Sequence, residues 1–145
     1  MKRTILLISL VFIFAGFSIA QDGTSDAKYA KIKFEKKVHN YGKIYKNGDG
    51  NCSFEFKNVG DAPLVLTSVR SSCGCTVPKW PRKPIMPGKK ADIKVTYDTR
   101  RRGVINKQIT VRSNAKNGTV VLKIRGQVIN PPKKHSPEKN HSDIN

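Results

Sequence analysis

The chain has 145 residues, and its 28 Lys and Arg against 10 Asp and Glu give a formal net charge of +18. That length suits one domain whose core can form without covalent staples, and the charge attracts polyanions through a field that salt screens. With three cysteines and three histidines, two of the latter at His135 and His141, the chain shows no complete four-ligand set for structural zinc.

The sequence opens with Lys2-Arg3, runs through an apolar stretch from Ile5 to Phe17, and reaches small residues at Ser18 and Ala20 before Gln21-Asp22-Gly23. This order of charged, apolar and small-residue segments predicts a signal peptide over residues 1–20, cut after Ala20. The apolar stretch is shorter than the ~20 residues of a spanning helix, and no Cys follows the cut to accept a lipid. The expected product is therefore soluble and exported, periplasmic or secreted, with no transmembrane span. Export narrows the partners of its charge to an unknown protein or an anionic envelope polymer, and removes intracellular nucleic acid.

A polar lead over residues 21–30 precedes the first alternating pattern, in which Ile32 and Phe34 share one side. Cys52, Phe54 and Phe56 then alternate with Ser53, Glu55 and Lys57, and Leu64 with Leu66 begins the next run. Ile93, Val95 and Tyr97 alternate with Lys94, Thr96 and Asp98. Ile105, Ile109 and Val111 share a side, as do Val120, Leu122 and Ile124. A period of two is that of strands with one face buried, and no window carries a helical stripe.

Turn formers separate these runs: Asn47-Gly48-Asp49-Gly50, Asn58-Val59-Gly60-Asp61-Ala62-Pro63, Pro87-Gly88, Arg102-Gly103 and Asn117-Gly118. Their spacing predicts an immunoglobulin-like antiparallel β-sandwich of about seven strands over residues 31–129. The remainder, 130–145, reads as a disordered basic tail with almost nothing apolar to bury.

Residues Cys73-Gly74-Cys75-Thr76, Pro78 and Trp80, the Pro84-Ile85 and Pro87-Gly88 steps, Tyr97-Asp98-Thr99, and Gly103 with Lys107, Ile109, Thr110, Val111 and Ser113-Asn114 form one constellation. Upstream, Tyr41-Gly42-Lys43-Ile44 and Phe56-Lys57-Asn58-Val59-Gly60-Asp61-Ala62-Pro63-Leu64 extend it. Together they resemble the bacterial domain of unknown function 1573 (DUF1573) over roughly Lys31 to Val128. The resemblance implies an exported immunoglobulin-like module related to Hydin-type and major-sperm-protein-type interaction domains, with no established reaction. Cys52 and the strong positive charge are not part of the resemblance.

Three cysteines in an exported chain leave one odd. Cys52 alternates with Phe54 and Phe56 and reads as a small core residue, though a bridge to Cys73 or Cys75 would also suit a sandwich. On an extended strand, Cys73 and Cys75 would present their thiols to one side with α-carbons roughly 6.6 Å apart. That is near the upper limit for a disulfide, and Gly74 would have to let the backbone pucker to close one. The pair admits a structural role, a redox-labile disulfide favoured by Arg70, Lys79 and Arg82 if these lie close in space, or two-coordinate Cu(I).

Two basic clusters complete the candidate sites. Lys79, Trp80, Arg82 and Lys83 place an indole among cations on a proline-stiffened connection, either as a binding loop or as a ring folded over the sandwich edge. Arg100, Arg101 and Arg102 crowd a turn before Gly103. No phosphate-cradling glycine loop, Gly-x-Ser-x-Gly elbow or His-Glu-x-x-His is present. The expected function is a non-enzymatic interaction module with a basic surface and no cofactor. The alternative is a thiol-disulfide or copper(I)-handling protein centred on Cys73 and Cys75.

Overall fold

A computed structural model describes residues 28–132. The predicted signal peptide, most of the polar lead and most of the tail lie outside the described residues. Eight strands run in chain order: β1 (Ile32–Phe34), β2 (Val38–Tyr45), β3 (Asn51–Asn58), β4 (Leu66–Ser71), β5 (Thr76–Lys79), β6 (Lys90–Tyr97), β7 (Gly103–Ser113) and β8 (Thr119–Ile129). They form two four-stranded sheets, β1-β3-β6-β5 and β2-β8-β7-β4. The described residues contain no helix.

The sandwich thus has eight strands rather than about seven, and it is not wholly antiparallel, because β2 pairs with β8 in parallel. The period-two signal is weak in both of the unpredicted strands. In β2, Gly42 takes a positive φ of 61° and the register shifts between Asn40 and Lys43, so alternation breaks mid-strand. β5 is four residues long and contains Pro78, which an edge strand tolerates because one of its sides needs no ladder donor.

The predicted inward residues meet between the sheets. Phe54 and Phe56 from β3, Ile93 and Val95 from β6, Ile105, Ile109 and Val111 from β7, and Leu122 and Ile124 from β8 are all buried. Each contributes roughly 1.5–3 kcal/mol by leaving water. Ala30, which its neighbours in sequence placed in the polar lead, belongs to this core.

Asn58, at the end of β3, is fully buried and joins three segments. Its amide nitrogen donates to the carbonyls of Ala62 and Ile85 at 2.8 and 2.9 Å. Its amide oxygen accepts from the backbone of Gly60 at 3.0 Å and of Lys31 at 3.4 Å. The sequence places Asn58 at a turn; the structure shows it pinning that turn to the β5–β6 connection. Polar side chains survive such burial only when bonded in this way.

Candidate functional site

β4 ends at the edge of one sheet and β5 begins at the edge of the other, so Cys73-Gly74-Cys75 is the crossing between the two layers. Cys73 and Cys75 are disulfide-bonded, with α-carbons 5.3 Å apart. The turn at Gly74 brings them nearer than an extended strand would. Ser71 Oγ lies 2.5 Å from the Cys73 carbonyl and 2.7 Å from that of Thr76, and Asp98 donates its amide to the Cys75 carbonyl at 2.9 Å. Cys75 is buried and Cys73 half-buried. The Thr76 hydroxyl lies 3.6 Å from the Cys73 sulfur and 3.9 Å from that of Cys75.

Cys52 is free, which corrects the expectation that allowed it a bridge to Cys73 or Cys75. It sits on β3 opposite Val95 of β6, and β5 lies on the far side of β6. Half-buried against the core, its thiol is pushed up by desolvation, partly offset by the neighbouring Tyr41 hydroxyl. Tyr41 is likewise pushed up by burial and donates to the Gly50 carbonyl at 2.7 Å. Cys52 therefore lacks the lowered pKa of a reactive cysteine.

Beside the disulfide turn lies an open groove of about 580 Å³, formed where the β2–β3 loop, the β4–β5 turn and the β6–β7 loop converge. Gly50 lets them meet, because a Cβ there would fall 2.1 Å from the Tyr97 carbonyl oxygen. Arg100 borders the groove, and its guanidinium grips Asp98 through Nε to Oδ1 at 2.8 Å and Nη2 to Oδ2 at 3.0 Å. This holds the Asp98 carboxyl down at about 2. Arg101 approaches the same carboxylate at 3.9 Å. The Arg100-Arg101-Arg102 cluster is thus partly neutralised by its own turn.

The other predicted cluster stands elsewhere, at the far end of β5. Arg82 lies over the Trp80 ring at 3.8 Å from its centroid, so that face of the indole is occupied by the chain's own cation. Trp80 packs against the core edge, with its ring nitrogen buried and without a hydrogen-bond partner. Lys79 stands in register with Lys94 on the outward face of its sheet, and Lys83 is exposed. Arg70 faces outward on the other sheet, in register with Thr110. The cations expected to activate Cys73 and Cys75 are therefore distributed over separate surfaces.

A third basic surface was not visible as a cluster in the sequence. The described carboxylates, Glu35, Asp49, Glu55, Asp61, Asp92 and Asp98, all belong to the β1-β3-β6-β5 sheet or to loops. Strands β2, β4, β7 and β8 contain none, yet their outward positions include Lys43, Arg70, Arg112, Lys123 and Arg125. Ser68, Arg70, Thr110 and Arg112 line a shallow depression of about 350 Å³ on this face. The cations lie far apart in sequence and converge only through strand register. The available signal was the absence of Asp and Glu between Asp98 and Glu138.

Among the described residues there is no group of three or more His, Cys, Asp or Glu placed to hold a metal ion. No helix among them is long and apolar enough to cross a membrane.

The family model described as a protein of unknown function, DUF1573, matches residues 32–128. Among solved structures, a protein of unknown function from Porphyromonas gingivalis W83 is similar at 19% identity and a TM-score of 0.62, over 70% of this chain and 48% of that one. The chain thus spans about half the length of that relative. The ASH/PapD-like domain 7 of human CEP192 is similar at 12% identity and a TM-score of 0.61, over 72% of this chain and 89% of that one. The Vibrio cholerae VesB protease is similar at 15% identity and a TM-score of 0.54, over 68% of this chain and 31% of that one. These likenesses show a PapD-like, immunoglobulin-like sandwich and nothing further. No curated protein matches the chain significantly.

Proposed function

The chain belongs to the DUF1573 family, and we propose that it is an exported, non-enzymatic interaction module that binds an anionic envelope polymer or an acidic protein partner through a basic surface. The observation that carries this reading is the division of charge between the two sheets, with every described carboxylate outside β2, β4, β7 and β8. An uncompensated basic face keeps its potential available to a partner, whereas interspersed ion pairs would cancel it. Binding driven this way releases counterions, so affinity falls steeply with salt. The test is titration of the purified protein with a soluble anionic polymer over a series of salt concentrations. Strong binding at low salt with a negative log–log slope supports the reading; no binding at low salt, or binding indifferent to salt, contradicts it.

A second reading rests on the disulfide. A thiolate from outside could attack the half-buried sulfur of Cys73, forming a mixed disulfide and releasing the Cys75 thiolate, with the Thr76 hydroxyl within reach of both sulfurs. In the reduced chain the two thiolates would form a ligand pair suited to two-coordinate Cu(I). Thiol counting by mass spectrometry tests this. A pair that exchanges with a mild dithiol and returns on oxidation supports thiol chemistry, and a pair inert until the protein unfolds removes it.

A further inference from the structure

We infer that the outward face of the β2-β8-β7-β4 sheet is the binding surface, and that it takes a linear phosphate-bearing polymer laid along the strands, with its primary oxyanion site between Arg70 and Arg112. The inference rests on the electrostatic reading above and adds the place and the ligand chemistry.

Strand register supplies the first part. Measured along β8, Arg112 stands opposite Thr119, Arg70 falls in the row of Thr110 and Val121, Lys123 and Arg125 occupy the next two rows, and Lys43 stands opposite Gln127. Five consecutive rows therefore carry one cation each. Rows are two residues apart, about 6.8 Å, so the series extends about 27 Å along the sheet while stepping across strands about 4.8 Å apart. It begins on the β4 and β7 side and ends on β2, an oblique line rather than a disc. Among the described residues, none of the five is ion-paired with a carboxylate. A line of single charges at regular intervals suits a chain of repeating anions better than one compact anion.

The second part comes from the depression lined by Ser68, Arg70, Thr110 and Arg112. Ser68 is opposite Arg112 and Thr110 is opposite Arg70, so two guanidinium groups and two hydroxyls surround one spot from neighbouring strands. A carboxylate has two coplanar oxygens, which one guanidinium satisfies bidentately. A tetrahedral phosphate offers oxygens in several directions and can accept from both arginines and a hydroxyl together. The donor set therefore favours phosphate over carboxylate. The clusters most conspicuous in sequence are less available, since Asp98 engages Arg100 and Trp80 engages Arg82.

The test compares the wild type, Arg70→Gln/Arg112→Gln and Lys79→Gln/Lys83→Gln, all exposed substitutions checked by melting curves. Probes are inorganic polyphosphate, poly-glutamate of matched charge, and vesicles of phosphatidylglycerol in phosphatidylcholine. The face variant should weaken polyphosphate binding roughly tenfold or more and flatten the salt slope by about 2, one unit for each lost phosphate contact. The loop variant should change it less than about threefold, and poly-glutamate should bind more weakly than polyphosphate. Equal loss in the loop variant overturns the location. Equal or tighter binding of poly-glutamate overturns the phosphate assignment, and binding to vesicles alone overturns the polymer. If the wild type binds no probe at low salt, the broader electrostatic reading fails as well.

Discussion

The amide of Asp98 donates to the carbonyl of Cys75 at 2.9 Å, so the disulfide turn and the arginine-bearing β6–β7 loop are one hydrogen-bonded unit at one end of the sandwich. The same Asp98 holds Arg100 through its carboxylate. This coupling joins two features that the sequence presents separately, and it makes both the staple and the loop elements of structure first.

The disulfide closes a very short loop, which limits what it can contribute. The chain-entropy model gives about 1.6 kcal/mol for a loop of about three residues. Cys73→Ser/Cys75→Ser should therefore fold with an unchanged far-ultraviolet circular dichroism spectrum and melt about 4–12 °C lower. Complete unfolding of the variant at room temperature would show that the bridge does far more than close the turn.

Asn58 should matter more. Asn58→Ala leaves the Ala62 carbonyl and the Gly60 amide without their partner in a fully buried site, and takes one of two donors from the Ile85 carbonyl, which keeps the Leu64 amide. The expected loss is about 3–5 kcal/mol, measured by urea unfolding, because buried groups left unpaired cost about 1–3 kcal/mol each. A loss below about 1 kcal/mol would mean that water enters and replaces the side chain.

Cys52 should react slowly in the folded protein. Without reductant, a thiol reagent at neutral pH should find one slowly reacting thiol in the native state and the same thiol reacting fast after unfolding; reduction should raise the unfolded count to three. Because burial raises the Cys52 thiol above its ordinary value of 9.0, its contribution to stability is complete below that pH. It is lost as pH rises through the raised folded value. Cys52→Ala should remove this alkaline component of the stability curve.

Asp98 should titrate near 2 in the folded chain, followed by its carboxyl resonance, against an ordinary value of 3.8. A lowered folded value means that its contribution to stability is present above 3.8 and fades as pH falls toward about 2. In Arg100→Gln the midpoint should move back toward 3.8, since the Arg100 side chain is the largest cause of the shift. An unmoved midpoint would transfer that role to Arg101.

The sequence disclosed the core strands because Phe54, Phe56, Ile93, Val95, Leu122 and Ile124 alternate with polar neighbours, and burial of one face only imposes that period. β2 and β5 were not legible. In β2, Gly42 and the register shift disrupt alternation, and β5 is too short to establish it. The Cys73–Cys75 bond depended on whether Gly74 turned, which spacing alone leaves open. The basic face was hidden for a different reason: Arg70, Arg112 and Lys123 become neighbours only after antiparallel pairing, whereas Arg100-Arg101-Arg102 is conspicuous in sequence and partly neutralised in space.

The central claim, that the carboxylate-free face meets the ligand, is tested most directly by mapping amide chemical-shift changes as polyphosphate is added at low salt. The largest changes should fall on β4, β7 and β8 around Arg70, Thr110, Arg112, Lys123 and Arg125, and should disappear as salt is raised. Changes centred instead on Lys79–Lys83 or on Asp98–Arg102, or changes that persist at high salt, would contradict it.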